Sequence, residues 1–385
     1  MNQPISITGI SSVSALGVTP LEVWKTYCAQ QPVFSTKEFG DVEAVVSKIT
    51  SKGEAILQQL QKEKDAYKKL DRSVLLAIAA AKSAFTSEQF QKQHLGINIG
   101  SSRGATQLFE NYHSDFLKHQ KVSAYTSPTT TLGNISSWVG QELGIDGVEI
   151  GHSVTCSTAL HALLNGVAWL QADMADAFIV GGSEAALTPF TMAQMNALKL
   201  YSTSENALAC ESMRFPKKKN TMILGEGAAV AVLEKGISER TVAVISGYGY
   251  ASETLVHNSS ISEDAKCFQK SMKMALQKAG LETVDAVVLH APGTVKGDLA
   301  EYNAIEACFG KNKPLLTSNK WMVGHTFGAS GMLSIEMATF MLMHNRFIEN
   351  PFYENAGHFP KQLKHILVNA VGFGGNAVSI IITKP

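Results

Sequence analysis

The sequence lacks an excess of charge of either sign. Its 385 residues include 33 Lys and Arg against 33 Asp and Glu, so no bulk field would attract nucleic acid or an anionic membrane surface. The longest apolar run, 74–81, is far shorter than the ~20 residues that a membrane-spanning helix needs. Residues 1–17 also lack the basic start and apolar core of a signal peptide. We therefore expect a soluble protein without a membrane span.

Cysteine is scarce, and the spacing of the cysteines excludes two common kinds of framework. The five residues are odd in number and widely scattered: Cys28, Cys156, Cys210, Cys267 and Cys308. Neither a zinc site nor a disulfide network has this pattern, and a reducing, cytoplasmic setting fits it best. Because no phosphate-cradling loop or ligand cluster stands out, we expect no cofactor and no metal.

Apolar runs that end at glycine or proline are frequent, and segments with helical spacing follow them. Such runs occupy 95–99, 177–180 and 284–289, and helical spacing covers 70–85, 157–174 and 330–343. This alternation predicts an α/β protein with a buried sheet. Two pairs of segments also resemble each other, namely 225–234 with 374–382 and 175–180 with 284–289. We therefore predict two similar halves, 1–238 and 239–385, that share one continuous core.

Cys156 is the most informative residue. It follows the segment 151–155 and directly precedes the predicted helix 157–174. A thiol at a strand-to-helix corner lies near the positive end of the helix dipole, which lowers its pKa and favours the nucleophilic thiolate. The corner also presents backbone N–H groups that can hold an oxyanion. We predict that Cys156 is a nucleophile, the alternative being a small buried apolar residue, as we expect for the other four cysteines.

Two glycine-rich clusters lie in the second half of the chain. In the segment 318–331, His325 stands between glycines just before an apolar helix, which suits a site that faces a substrate channel. The alternative is a structural histidine. In the segment 371–376, three glycines surround Phe373, as in a tight turn opposite a ligand.

Taken as a set, these motifs resemble the β-ketoacyl-acyl-carrier-protein synthases, condensing enzymes of the thiolase superfamily. The resemblance covers nearly the whole chain, since it also includes the segments 158–184, 214–215, 225–227, 292–294 and 297–301. It implies a thiolase-like five-layer αβαβα fold built from two duplicated β/α halves. It also implies Cys-thioester acyl transfer followed by decarboxylative condensation with malonyl-carrier protein, in the biosynthesis of fatty acids or polyketides, with aryl polyenes as one example.

The resemblance assigns a role to each matching residue. Cys156 would carry the acyl chain, and His325 would be one of two histidines that assist decarboxylation and stabilise the enolate. Lys320, five residues before His325, would support the site by charge and hydrogen bonding. The backbone N–H groups of Cys156 and Phe373 would form the oxyanion hole, and the Phe373 ring, next to Gly374, would gate acyl entry.

Two positions depart from the family pattern. The other family histidine stands directly before Gly-Thr, where this chain has Pro292, which can neither donate nor titrate. His290 lies two residues earlier, about 6 to 7 Å away on a regular strand. A bulge at 292–293 would be needed to bring it back; otherwise His290 is a strand-end histidine bonded to backbone. Ser334 replaces a family glutamate, and Glu336 lies on a different helical face. The departures imply a reduced or specialised activity.

Three functions remain open from the sequence. The first is the condensing enzyme, and the second is a non-condensing partner subunit that resembles a chain-length factor in a heterodimer. The third is a Cys-dependent acyltransferase, which needs only one histidine. An acidic acyl carrier protein would need a basic docking patch, for which Lys217–Lys219 are the candidates, the alternative being solubilising surface charge. The resemblance also implies a homodimer, or a heterodimer with a related synthase, in which the segment 127–134 reaches toward the neighbouring site.

Overall fold

The strands of the protein pair mainly into one large mixed sheet. The computed structural model describes residues 3–40, 42–85, 94–132, 134–204, 208–254, 261–355 and 359–385. Within these ranges the sheet has ten strands. They are β1 (Ile5–Val13), β4 (Leu95–Gly100), β5 (Val148–Ile150), β6 (Ala177–Glu184), β7 (Gly227–Lys235), β8 (Ala243–Ala251), β9 (Ala286–Val288), β10 (Leu315–Thr317), β11 (His365–Gly372) and β12 (Asn376–Thr383). A separate hairpin consists of β2 (Ser35–Phe39) and β3 (Val42–Val46).

Helices cover both faces of this sheet. They are α1 (Pro20–Ala29), α2 (Ser51–Glu63), α3 (Arg72–Ala84), α4 (Thr106–His119), α5 (Thr126–Thr130), α6 (Asn134–Leu143), α7 (Thr158–Gln171), α8 (Pro189–Ala197), α9 (Lys266–Ala279), α10 (Val295–Phe309), α11 (Lys320–Val323) and α12 (Ser330–His344). The helices predicted over 70–85, 157–174 and 330–343 are thus confirmed as α3, α7 and α12. Over the described ranges, no helix is both long and apolar enough to cross a membrane.

The order of the strands shows a duplication. From the centre outward, one half reads β1, β7, β6, β4, β5 and the other reads β8, β12, β11, β9, β10. The pairing directions agree, because the two inner pairs of each half are antiparallel and the β4–β5 and β9–β10 edges are parallel. The predicted likeness of 225–234 and 374–382 is therefore confirmed as that of β7 and β12. The likeness of 175–180 and 284–289 is wrong, because β6 corresponds to β11 and β9 to β4.

Three hydrophobic clusters define the layers. The largest contains α7 and α12, which pack against each other between the two halves of the sheet. On the outer faces, α3 and α6 cover the first half, and α9 and α10 cover the second. Helix α12 is buried on all sides through Leu342, which explains why its sequence is apolar all round. The arrangement is the predicted five-layer αβαβα fold, and it brings the starts of α7, α10 and α12 to one region.

Candidate active site

Cys156 lies at a sharp corner between strand β5 and helix α7. Thr155 has a φ of 47°, which is uncommon for a residue with a β-branched side chain. Helix α7 begins two residues after Cys156. The Cys156 side chain is 7% exposed and packs in a small apolar cluster with Met195, Met222 and Phe327. The predicted position before the helix is therefore correct.

The predicted lowering of the pKa of Cys156 is wrong. Burial, together with the buried carboxyl of Glu184, raises the pKa of its thiol to about 12, although Lys320 and Arg103 act in the opposite direction. Desolvation of the thiolate outweighs the helix dipole because the sulfur is shielded from water. At neutral pH, Cys156 is therefore a thiol in this structure.

The turn that contains Phe373 lies directly over the corner that contains Cys156. A Cβ atom added to Gly372 would approach Thr155 Oγ1 to 1.8 Å and the carbonyl oxygen of Val154 to 2.7 Å. Only glycine permits such a close approach of two backbones. In the following turn, Gly374 has a φ of 86°. Phe373 itself is 42% exposed, so its ring stands at the surface side of the corner.

His325 is held at the turn between α11 and α12. Its backbone N–H donates to the carbonyl oxygen of Ile223 at 2.7 Å, and its Nδ1 lies 3.3 Å from Ser330 Oγ. Gly324 has a φ of 66°, and a Cβ atom there would meet the same Ile223 oxygen at 2.8 Å. The ring centroid of Phe327 lies 5.3 Å from that of His325.

The structure brings His290 and His325 together. Their ring centroids are 5.2 Å apart, with the rings nearly perpendicular. Strand β9 ends at Val288, and the chain then bends, with a φ of 23° at Ala291 and 92° at Gly293. The expected distance of about 6 to 7 Å between His290 and the position of Pro292 assumed a regular strand. The strand does not extend to His290. A bent loop occupies this segment instead. The sequence analysis required such a bend for His290 to lie next to His325.

Two carboxylates of helix α10 hold this bend. Glu301 accepts the backbone N–H groups of His290 at 3.0 Å and of Ala291 at 2.8 Å. Asp298 accepts those of Gly293 and Thr294, each at 3.0 Å. Because the bonds go to backbone, they fix the chain path and leave the imidazole of His290 free of this constraint.

Both histidines are neutral at physiological pH. Burial, together with the positive charge of Lys320, lowers the pKa of His325 to about 3. Burial, together with His325 and Lys320, lowers the pKa of His290 well below its usual value. A neutral imidazole keeps one N–H donor, so the pair can donate to a substrate oxygen without carrying charge.

Lys320 lies fully inside the protein, on helix α11. Its Nζ donates to Asn319 Oδ1 at 3.0 Å and to Ser334 Oγ at 3.4 Å. Burial lowers the pKa of Lys320 to about 8, although Glu301 opposes this shift. Ser334, which stands where the family has a glutamate, thus keeps a contact with the lysine through a neutral group. Glu336 instead accepts from Ser12 Oγ at 2.7 Å, in agreement with its expected different helical face.

Cys156 borders two cavities. The larger, of about 520 Å³, is also lined by His290 and His325, and we call it the histidine cavity. The smaller, of about 370 Å³, lies beside helices α4 and α8, and we call it the aromatic cavity. Phe327 and Phe373 border both. A chain attached to the sulfur and a second substrate near the histidines could therefore occupy different spaces.

Glu184 joins the walls of the site, a role that the sequence analysis did not assign. Its carboxylate accepts the backbone N–H groups of Ser102 at 2.8 Å, Arg103 at 3.2 Å and Gly328 at 3.0 Å. Burial raises its pKa to about 7. The segment 101–103 follows β4, which is parallel to β6. Parallel strands end at one edge of a sheet. The turn after the apolar run 95–99 is therefore the sequence feature that could have predicted this part of the site.

The basic cluster 217–219 is not the uniform surface patch that the sequence suggested. Lys217 forms an ion pair with Asp298 in which the side chains are only 2% and 1% exposed. Burial of the pair removes Lys217 from any docking surface. Lys218 and Lys219 are exposed and, with Lys296, line the histidine cavity.

The chain is similar to known proteins over most of its length. Residues 2–237 match the N-terminal domain of the beta-ketoacyl synthases, and residues 242–352 match the C-terminal domain. The 3-oxoacyl-(acyl-carrier-protein) synthase 2 of Vibrio cholerae is 27% identical over 410 aligned residues, which cover 99% of each chain.

Solved structures share the fold over the full length. One is from a complex of a type II polyketide synthase acyl-carrier protein with its ketosynthase bound to the hexaketide, with a TM-score of 0.85, 19% identity and 100% coverage of both chains. Another is from a ketosynthase in complex with its chain length factor from Xenorhabdus doucetiae, with a TM-score of 0.84, 20% identity and coverage of 100% of this chain and 98% of that one. Because the two family domains match most of its length, the chain belongs to the beta-ketoacyl synthase family, whose enzymes are condensing acyltransferases.

Proposed function

We propose that this chain joins an acyl group carried on Cys156 to malonyl-carrier protein by decarboxylative condensation. The observation that carries the proposal is the meeting of Cys156, His290 and His325 on one cavity, with the two imidazole rings 5.2 Å apart. A nucleophile and two neutral donors are the groups that the two half-reactions need.

In the first half-reaction, the Cys156 sulfur attacks the thioester carbonyl of an acyl-carrier protein. The new bond joins Cys156 Sγ to the acyl carbon, and the bond from that carbon to the carrier sulfur breaks. The thiol proton passes to the departing carrier sulfur, so no charge accumulates in the buried site. The backbone N–H groups of Cys156 and Phe373 would hold the oxyanion, a role supported by the close contact of Gly372 with the Cys156 corner.

In the second half-reaction, the malonyl group loses carbon dioxide by cleavage of its C–C bond, and the electron pair becomes an enolate. The N–H groups of neutral His290 and His325 would donate to the enolate oxygen. The enolate carbon then attacks the Cys156 thioester, a C–C bond forms and the C–S bond breaks. The Cys156 thiolate that leaves would take a proton from solvent, and Lys320, which is protonated below its pKa of about 8, would stabilise the thiolate until then by its positive charge.

Two assays on the full-length protein test this function. Incubation with an acyl-carrier thioester should add the mass of one acyl group to the protein, and subsequent malonyl-carrier protein should release carbon dioxide and remove that mass. Acylation without carbon dioxide release would instead identify a Cys-dependent acyltransferase.

A second candidate is a non-condensing partner subunit that resembles a chain-length factor. Pro292 and Ser334 favour it, since each replaces a family residue with one that cannot titrate. The retained Cys156, the contact of His290 with His325 and the buried Lys320 oppose it. Absence of both acylation and carbon dioxide release would support this candidate.

An acyl carrier protein and a second synthase subunit are the proposed partners. Lys218, Lys219 and Lys296 supply positive charge where an acidic carrier would deliver its substrate. The segment 127–134 forms part of α5 and the start of α6, with Gly133 outside the described residues. Its contact with a neighbouring subunit is a proposal. A cytoplasmic location is proposed in keeping with five unpaired cysteines.

Reversal of charge at Lys218 and Lys219 tests the docking surface. The K218E/K219E variant is expected to raise KM for carrier-bound substrate about tenfold with little change in kcat, because it weakens encounter with an acidic partner. Alkylation of Cys156 by iodoacetamide should be unchanged. K270E/K273E, on exposed positions of α9, is the matched control. An unchanged KM in K218E/K219E would remove this surface from the docking proposal.

A further inference from the structure

Ser330 forms a buried hydrogen bond with the imidazole of His325. It is the first residue of helix α12, and both residues are buried. Its Oγ lies 3.3 Å from Nδ1 of the ring. In the described part of the chain, neither of these two atoms has another hydrogen-bond partner. The hydroxyl and the ring nitrogen therefore satisfy each other.

The direction of this hydrogen bond follows from the hydroxyl proton of Ser330. A buried hydroxyl proton needs an acceptor. Among the described residues, the only acceptor bonded to this hydroxyl is Nδ1 of His325, so Oγ–H donates and Nδ1 accepts. In a neutral imidazole, one nitrogen accepts and the other carries the proton. The proton of His325 therefore lies on Nε2.

The remaining ring nitrogens of the pair face substrate space. Within the described ranges, Nε2 of His325 and both ring nitrogens of His290 have no hydrogen-bond partner, yet none of the three is shut off from water. Both residues line the histidine cavity. Glu301 fixes the backbone of His290 and leaves its ring unbonded. The protein thus sets the position of the proton at His325 and not at His290.

The next hydroxyl on the same face of α12 has a different partner. Ser334, one turn further along, receives a hydrogen bond from Lys320 Nζ at 3.4 Å. Its own Oγ–H has the carbonyl oxygen of Ser330 within reach at 3.2 Å. Ser334 therefore contacts the lysine, and the bond to the imidazole of His325 depends on Ser330.

We infer that Ser330 is a positioning residue that holds His325 as an Nε2–H donor toward the substrate in the histidine cavity. The inference rests on the proposed function, because the oxygen that receives this N–H is that of the malonyl-derived enolate. A donor already aimed at the developing charge needs no reorganisation during the reaction. Decarboxylation should therefore depend on Ser330, whereas acylation of Cys156 should not.

Nitrogen-15 NMR tests the position of the proton in the unmodified protein. Protonated and unprotonated ring nitrogens of a neutral histidine have well-separated shifts, and the signals that H325A lacks belong to His325. At pH 7, His325 should show a protonated Nε2 and an unprotonated Nδ1. In S330A, it should show a mixture of the two tautomers. A protonated Nδ1 in the unmodified protein would overturn this inference, whether or not S330A folds.

Kinetics test whether Ser330 acts through His325. S330A should lower kcat for carbon dioxide release from malonyl-carrier protein about tenfold, the value of roughly one hydrogen bond. KM and the acylation of Cys156 should change little. In the H325A background, the same substitution should have no further effect, because the imidazole on which it acts is gone.

A matched control separates this role from a general loss of packing. S73A also removes a buried serine hydroxyl from the first turn of a helix, but from α3 on the outer face of the sheet, and it should keep the normal rate. An equal loss from S330A in both backgrounds would identify a purely structural serine, and a normal kcat in S330A would equally overturn the inference. Absence of carbon dioxide release from the unmodified protein would overturn the proposed function instead, and NMR would still locate the proton.

Discussion

Replacement of Cys156 by alanine is expected to abolish acyl transfer and to lower the rate of condensation by about 10⁴-fold or more. The variant removes the atom that carries the acyl chain between the two half-reactions, and no neighbouring group can take its place. The mass gain with acyl-carrier thioester should disappear, and carbon dioxide release should lose its dependence on the acyl donor. Intact mass and a carbon dioxide assay measure these two results.

Cys267 provides a matched control for this substitution. It is also fully buried, but it packs against the outer face of the second half of the sheet, away from both cavities. C267A should therefore acylate and condense at the normal rate, although loss of buried contacts can lower its stability. Persistent acylation of C156A at a stoichiometry of one would show that another residue is the nucleophile, and the proposed mechanism would be wrong.

The raised pKa of Cys156 predicts how the alkylation of its thiol depends on pH. Below a pKa of about 12, the thiolate fraction grows tenfold per pH unit, so alkylation by iodoacetamide should rise about tenfold per unit between pH 7 and 10. K320M should be slower below pH 8, where Lys320 is protonated and lowers the pKa of Cys156, and the difference should shrink above pH 8 as Lys320 loses its charge. A plateau in the unmodified protein below pH 9, as in a solvent-exposed thiol, would contradict the raised pKa.

The sequence predicted the layers of the fold better than the order of the strands. Apolar runs with helical spacing identified α3, α7 and α12, because a helix buried on one face or more must carry an apolar stripe. The runs 175–180 and 284–289 were nevertheless matched to each other, although β6 corresponds to β11 and β9 to β4. Central strands buried on both faces have nearly the same composition, so their positions depend on tertiary pairing.

The candidate site shows the same division between local and non-local causes. The position of Cys156 before a helix is a local property, and the sequence predicted it. Its raised pKa depends on burial by segments distant in sequence, which no local pattern contains. The bend after Val288 depends on Glu301, eleven residues beyond His290. A regular strand was the natural local expectation, and the carboxylate of the following helix overrides it.

Replacement of His290 by alanine is expected to separate the two half-reactions. Acylation of Cys156 should be nearly unchanged, whereas carbon dioxide release from malonyl-carrier protein should fall about 10²- to 10⁴-fold. The physical reason is that H290A removes one of two neutral N–H donors from the enolate oxygen and leaves the Cys156 corner intact. Intact mass after acylation and carbon dioxide release under the same conditions measure the two effects.

The double variant H290A/H325A shows whether the two rings act on one oxygen. Donors that stabilise the same developing charge are not additive, so the double variant should lose much less than the product of the two single losses. H344A, at an exposed position at the end of α12, should behave as the unmodified protein. Normal carbon dioxide release in H290A would leave His325 as the sole histidine of the reaction. The contact between the rings would then be structural, and Pro292 would mark a true loss of the second donor.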